Sequence, residues 1–139
     1  MLRPAQIALW ITAALIGVFA VRLLMRPDDL AVVHGLQLDL SKGLATEIRA
    51  TQGGTKLGIA VALLILSRPR WVTVGLAVAV TVLAISLLGR LIGLAVDGYT
   101  TLHAVVAVAE AIGVLSCGIH WYRLANASFS SANLTGPSN

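Results

Sequence analysis

Three charged residues, Lys56, Arg90 and Glu110, stand in the middle of long apolar stretches, and each has a polar residue seven positions away: Arg49, Asp97 and His103. Seven residues is about two helical turns, so each pair shares one face of its helix. A charge at membrane depth costs roughly 3 kcal/mol or more, so it turns toward a bundle interior or a water-filled cavity and pairs there. Three helices, each with two polar groups on one stripe, predict a shared polar interior. Groups of these types could hold an anion, relay a proton or lock helices in register, and that interior is where function is expected.

The depths of the three charges agree. With a rise of about 1.5 Å per residue, Lys56 lies roughly 13 Å below Glu47, Arg90 roughly 10 Å below Asp97, and Glu110 roughly 13 Å below Thr101. All three distances run from the same membrane face, which predicts a deep layer of Lys56, Arg90 and Glu110 and a shallower one of Arg49, Asp97 and His103. The deep layer holds two cations against one carboxylate. One positive charge is left over unless Asp97 or Glu47 reaches down, Lys56 extends outward, or an anion binds. One reading is a cavity that opens to the outer face and accepts a small acidic or polar ligand. The other makes Arg90–Glu110 and Arg49–Asp97 ion pairs that fix the register of the helices, and for Arg90–Glu110 this is the favoured reading. His103 is either a proton relay toward Glu110 or an interfacial cap at the mouth of its helix.

Other chemistries lack their residues. Besides His103, the soft ligands are Cys117 and His120, which share a face, and His34, but no second ligand pair accompanies them, so no metal site or cofactor is expected. Cys117 is the single cysteine, which precludes an intramolecular disulfide. No Ser/His/Asp grouping is visible, and Gly53-Gly54 lies within an apolar helix rather than in a nucleotide loop after a strand. The sequons Asn126-Ala127-Ser128 and Asn133-Leu134-Thr135 are read as chance matches in a polar tail. A net charge of +4 with scattered cations and 5% aromatic residues gives no basic stripe with stacking platforms, so nucleic acid is not an expected partner.

The elements that must position these residues are membrane helices. Of 139 residues, 58% are hydrophobic and 12% charged, about half the charged fraction of a soluble domain, and the mean hydropathy is +0.89. A bilayer core of about 30 Å needs roughly 20 apolar residues in a helix. Four segments qualify: about 5–25, 47–67, 71–96 and 101–124. None of the four prolines falls inside a span, and three mark span ends. The expected fold is all-α: an up-down four-helix transmembrane bundle over residues 1–124, followed by a disordered polar tail, 125–139. The first segment also resembles a signal peptide, with Val18-Phe19-Ala20 before a cleavage point. Its apolar run exceeds the usual length, however, and Arg22 and Arg26 follow at once, so a retained helix is expected.

The 26–46 connection is the single long one. It is read as an outer loop, either a short surface helix with Leu36, Leu40 and Leu44 on one face or irregular chain. The other two connections are short and predict antiparallel neighbours. Arg3, Arg68, Arg70 and Arg123 fall on one side without acidic residues, together with Trp71 and Trp121-Tyr122. By the cation count both termini are cytoplasmic. Gly54 and Gly58, with Gly53 beside them, and Gly89 and Gly93 form two G-x-x-x-G patterns flanking the buried cations, which predict close helix packing there.

At the second helix the chain reads Glu47-Ile48-Arg49-Ala50-Thr51-Gln52-Gly53-Gly54, then Leu57-Gly58, with Arg90 and Gly93 on the third helix and Glu110 on the fourth. This resembles the domain-of-unknown-function family DUF4345, small four-helix bacterial membrane proteins without an assigned activity. The resemblance extends over nearly the whole chain, and Glu-x-Arg-Ala-x-x-Gly-Gly is its most specific part. Gln52 stands where that family often places an aromatic. The resemblance implies a bacterial inner-membrane setting and the four-helix fold, but no substrate.

The functional expectation is a non-enzymatic membrane protein in a lipid bilayer, with a polar intramembrane site for a small polar or anionic ligand, a lipid headgroup or a proton-coupled solute. Glu110, Arg90, Lys56 and Arg49 would line it, with Asp97 and His103 at the mouth. The alternatives are a small membrane-embedded enzyme or redox accessory acting on a lipophilic substrate, with His103 and Glu110 as acid and base, and a structural subunit whose charges pair with a membrane protein partner.

Overall fold

The computed structural model describes residues 2–29, 42–96 and 101–134. Asp97 and most of the expected 26–46 loop lie outside the described residues. Within them the chain is all-α, without a strand. Helix α1 is Leu2–Met25. A composite second helix comes next, made of α2 (Lys42–Ile48), a π segment (Arg49–Gly54) and α3 (Thr55–Leu66). Helices α4 (Val72–Val96) and α5 (Thr101–Leu134) complete the order.

Punctuation explains these limits. Pro4 sits in the first turn of α1, where a missing N–H costs nothing, and Pro27 stands just past its end. Pro69 falls in the turn between α3 and α4. Helix α5 runs on to Leu134, past residue 125, where the sequence predicts a disordered tail. Between those positions there is neither glycine nor proline to stop it; Gly136-Pro137 is the first such signal.

Three helices are long and apolar enough to cross a membrane: Arg3–Met25, Val72–Val96 and His103–Ala127. Much of their apolar surface points outward, including Leu15, Val18, Ile85, Ile112 and Leu115. In water such surfaces would aggregate, whereas hydrocarbon solvates them, and this supports a membrane protein. The second helix differs from the single span expected there. Its regular part, α3, has 12 residues, short of the roughly 20 that cross a bilayer. Only together with α2 and the π segment does it reach a spanning length.

The chain clusters into two compact units, residues 1–9 with 66–139, and residues 10–65. In the first, α4 and α5 are antiparallel neighbours, as the short connection predicts. Val80 approaches Gly118, Leu83 approaches Gly113, and Ser86 and Arg90 reach Glu110, so position rises on one helix as it falls on the other. A Cβ on Gly113 would stand 2.9 Å from Leu83 Cδ1, and one on Gly75 would stand 2.9 Å from Leu66 Cβ and 3.0 Å from Leu9 Cδ1. Leu9, Val72, Leu76 and Cys117 are fully buried in this unit. Gln6 Nε2 donates to the Ser67 carbonyl at 2.8 Å, satisfying a backbone acceptor just past the end of α3.

In the second unit the end of α1 meets the π segment. A Cβ on Gly53 would lie 2.7 Å from Leu24 Cγ and 3.1 Å from its backbone nitrogen, so only glycine fits. Ala20, Leu23, Ile48, Ala60 and Leu63 are buried in this unit. Of Gly53, Gly54, Gly58 and Gly89, Gly53 is the one under real constraint. Gly54 has ordinary room, 3.6 Å from the Arg49 carbonyl, while Gly58 and Gly89 have nothing within 4 Å among the described residues. The four-residue spacing does place glycines on a shared face, but at Gly58 and Gly89 that face is turned outward.

Gly53→Ala should therefore lower the melting temperature of detergent-purified protein, at a cost of about 1–3 kcal/mol for overpacking. Gly58→Ala should leave it unchanged or raise it slightly, since alanine favours a helix by about 1 kcal/mol over glycine. Equal melting of the two variants would contradict this packing.

Candidate functional site

Ser86, Arg90 and Glu110 form one polar cluster on the α4–α5 pair. Ser86 and Arg90 are one turn apart on a single face of α4, and the antiparallel register sets Glu110 of α5 opposite them. Arg90 Nε donates to Glu110 Oε2 at 3.0 Å, and Arg90 Nη2 to Glu110 Oε1 at 3.1 Å. Ser86 Oγ donates to the same Oε1 at 2.6 Å. The carboxylate is thus gripped in a two-pronged fork with a third donor added, the geometry in which a guanidinium–carboxylate pair is strongest. Both side chains are largely removed from solvent, 25% exposed for Arg90 and 13% for Glu110. At this burial the pair must be kept whole. Removing one partner strands the other charge, which costs roughly 3–5 kcal/mol.

The second unit holds the other deep cation, Lys56, and the shallower Arg49. Lys56 Nζ donates to Gln52 Oε1 at 2.8 Å, one turn earlier on the same helix. It also stands 4.9 Å from the centre of the Phe19 ring, within reach of a cation–π attraction. Gln52, the position at which this chain departs from its resemblance, thus supplies an oxygen to the lysine. Arg49 Nε donates to the Leu24 carbonyl at 3.1 Å. That carbonyl belongs to the last turn of α1, where acceptors lack helical partners and the helix dipole favours a cation. At the same end of α1, exposed Arg22 pairs with Asp29 at 2.6 Å.

The π segment explains why Arg49 and Lys56 take different partners. The Thr55 N–H bonds to the Ala50 carbonyl, five residues back, and the Thr51 hydroxyl bonds to the Glu47 carbonyl at 2.7 Å. A widened turn holds one extra residue, which displaces the residues after it by about 100° around the helix. The two-turn spacing of Arg49 and Lys56 therefore no longer guarantees a common face.

Of the expected site residues, the structure brings together Arg90 and Glu110 and adds Ser86, which sequence reasoning missed. The available signal was Ser86 at four residues before Arg90. Asp97, the expected partner of Arg49, lies outside the described residues. His103 is half-buried on α5, two turns from Glu110. Among the described residues no group of three His, Cys, Asp or Glu side chains converges on a point.

A family model for a domain of unknown function, DUF4345, matches residues 4–121. The chain belongs to the DUF4345 family. The match includes every residue of both clusters, so the Arg90–Glu110 fork and the π segment lie within the DUF4345 domain. No curated protein and no solved structure matches the chain.

Glu110→Gln and Arg90→Gln should each destabilise this DUF4345 protein by roughly 3–5 kcal/mol, and the double variant should recover much of the loss. Ser86→Ala should cost only about 1 kcal/mol. Thermal unfolding in one detergent, analysed as a double-mutant cycle, measures all of these; additive losses would rule out the pair as a unit.

Proposed function

We propose that this protein is a multi-pass bacterial inner-membrane protein, a four-helix bundle with both termini cytoplasmic, which performs no reaction of its own. In this reading its polar cluster on α4 and α5 binds a small polar or anionic ligand within the membrane. The observation that supports it is the unused half of Arg90. A guanidinium has five N–H donors, and Arg90 directs two hydrogen bonds to Glu110. Among the described residues no group accepts from the remaining three. A ligand carboxylate or phosphate could take them in the planar geometry that arginine favours. Glu110 then keeps the guanidinium oriented while Ser86 steadies the carboxylate.

The same geometry argues for binding over catalysis. A general acid or base must exchange its proton with a reacting group, and the Glu110 oxygens are already engaged by three donors. The composite second helix is the fourth span of this reading, with the π segment tolerated at membrane depth because Thr51 and Thr55 bond to carbonyls just before it and within it, Glu47 and Ala50.

Arg90→Lys provides the test. Lysine keeps the charge and a bond to Glu110 but lacks the fork and its spare donors. Protein purified in mild detergent should release a small acidic molecule on denaturation, detectable by mass spectrometry. The lysine variant should remain folded and release at least about tenfold less, the equivalent of one charge-assisted hydrogen bond. Equal release from both proteins would defeat the proposal.

A further inference from the structure

At the other end of the first unit, the opening turn of α1 and the later part of α5 border a shallow, open cleft of about 70 Å³, lined by Pro4, His120, Arg123 and Leu124. We infer that this cleft binds the headgroup phosphate of an anionic phospholipid. Two cationic or potentially cationic side chains converge on it, and among the described residues neither His120 nor Arg123 makes a hydrogen bond or an ion pair. The first turn of α1 carries no acidic residue, so the positive end of a 24-residue helix dipole stands beside the cleft without a compensating charge. From Ala111 to Asn139 the sequence has no Asp or Glu, and the 1–9 and 66–72 stretches have none either. The cleft is therefore a site for an anion with no competing carboxylate in its own unit nearby in sequence.

The setting selects a lipid over a free anion. Pro4 is one residue inside the apolar stretch that begins at Arg3, and Leu124 is three residues from the end of the one that closes at Ala127. Both are thus at the limit of a candidate membrane span, which is headgroup depth. Trp121 and Tyr122 are exposed beside the cleft, as interfacial aromatics are. At the start of α4 the exposed Trp71 ring lies 4.9 Å beneath the Arg70 guanidinium. Leu124 gives the cleft an apolar wall against which the start of an acyl chain can lie, a feature useless to a soluble phosphate.

The test uses the full chain in detergent micelles, with equimolar phosphatidylglycerol and phosphatidylcholine added and bound lipid counted by native mass spectrometry. The natural sequence should prefer phosphatidylglycerol by about fivefold or more, the effect of one cation near an anionic headgroup. His120→Ala combined with Arg123→Gln should bring the preference to parity, while Arg22→Gln, at the opposite end of α1, should leave it intact. Both altered side chains are outside the buried core, and a melting curve matching the natural protein verifies the fold. The inference is overturned if the double variant keeps its preference, or if Arg22→Gln removes it instead. It is equally overturned if glycerol phosphate displaces phosphatidylglycerol at equal concentration, since the site would then belong to a soluble anion.

Discussion

The α4–α5 pair depends on one requirement: a carboxylate and a guanidinium placed in apolar helices can remain there only together. Glu110 accepts from both Arg90 and Ser86, and this fixes the rotation and the axial register of both helices at once. The contacts farther along the pair are set by that register. Gly113 must face Leu83 and Gly118 must approach Val80, and the lack of a side chain at Gly113 lets the backbones come close enough for the fork to close. In hydrocarbon, apolar burial gives helices no reason to choose one another, so polar bonds and small residues must supply the choice. Here both devices act on the same helix pair, within about one turn of each other.

Arg90 and Glu110 were legible because their positions could be converted into depth. On antiparallel helices joined by a short turn, residues equally far from that turn must meet, and a charge buried there must have a partner. Ser86 was not legible by the same means. A hydroxyl in a membrane helix can satisfy itself on the carbonyl one turn back, as Thr81 does on Ala77 at 2.9 Å. Nothing in the residue type distinguishes a serine that does this from one that reaches across. The glycine patterns failed for a related reason. Four-residue spacing identifies a face but not which way it points, and Gly58 and Gly89 point away from their neighbours.

For the cations of the second unit, charge balance is too narrow a criterion. It pairs Arg49 with Asp97, which lies outside the described residues, because a cation in an apolar helix needs negative charge nearby. The Leu24 carbonyl meets that need without any ionised group, since the last turn of a helix concentrates partial negative charge on unbonded oxygens. Every residue carries a carbonyl, so no pattern of side chains announces this partner. Lys56 is accommodated in part in a similar way, by an amide oxygen and the negative face of an aromatic ring. For Arg49 and Lys56 alike, preorganised dipoles supply negative potential without an ionised group.

The most specific stretch of the family resemblance, Glu47 to Gly54, contains the whole π segment. That coincidence gives the motif a physical meaning. Arg49 bonds to the carbonyl of Leu24, and Gly53 packs against the nitrogen and side chain of the same residue. The two contacts are four positions apart, so in this widened turn a single residue at the end of α1 is clasped by both. A regular helix also keeps residues four apart on one face, so the clasp itself does not demand the widened turn. Gly53-Gly54, poor residues for a regular helix, lower the cost of the widened turn that carries both contacts. A string of unlike residues in the sequence is, in structure, one joint between two helices.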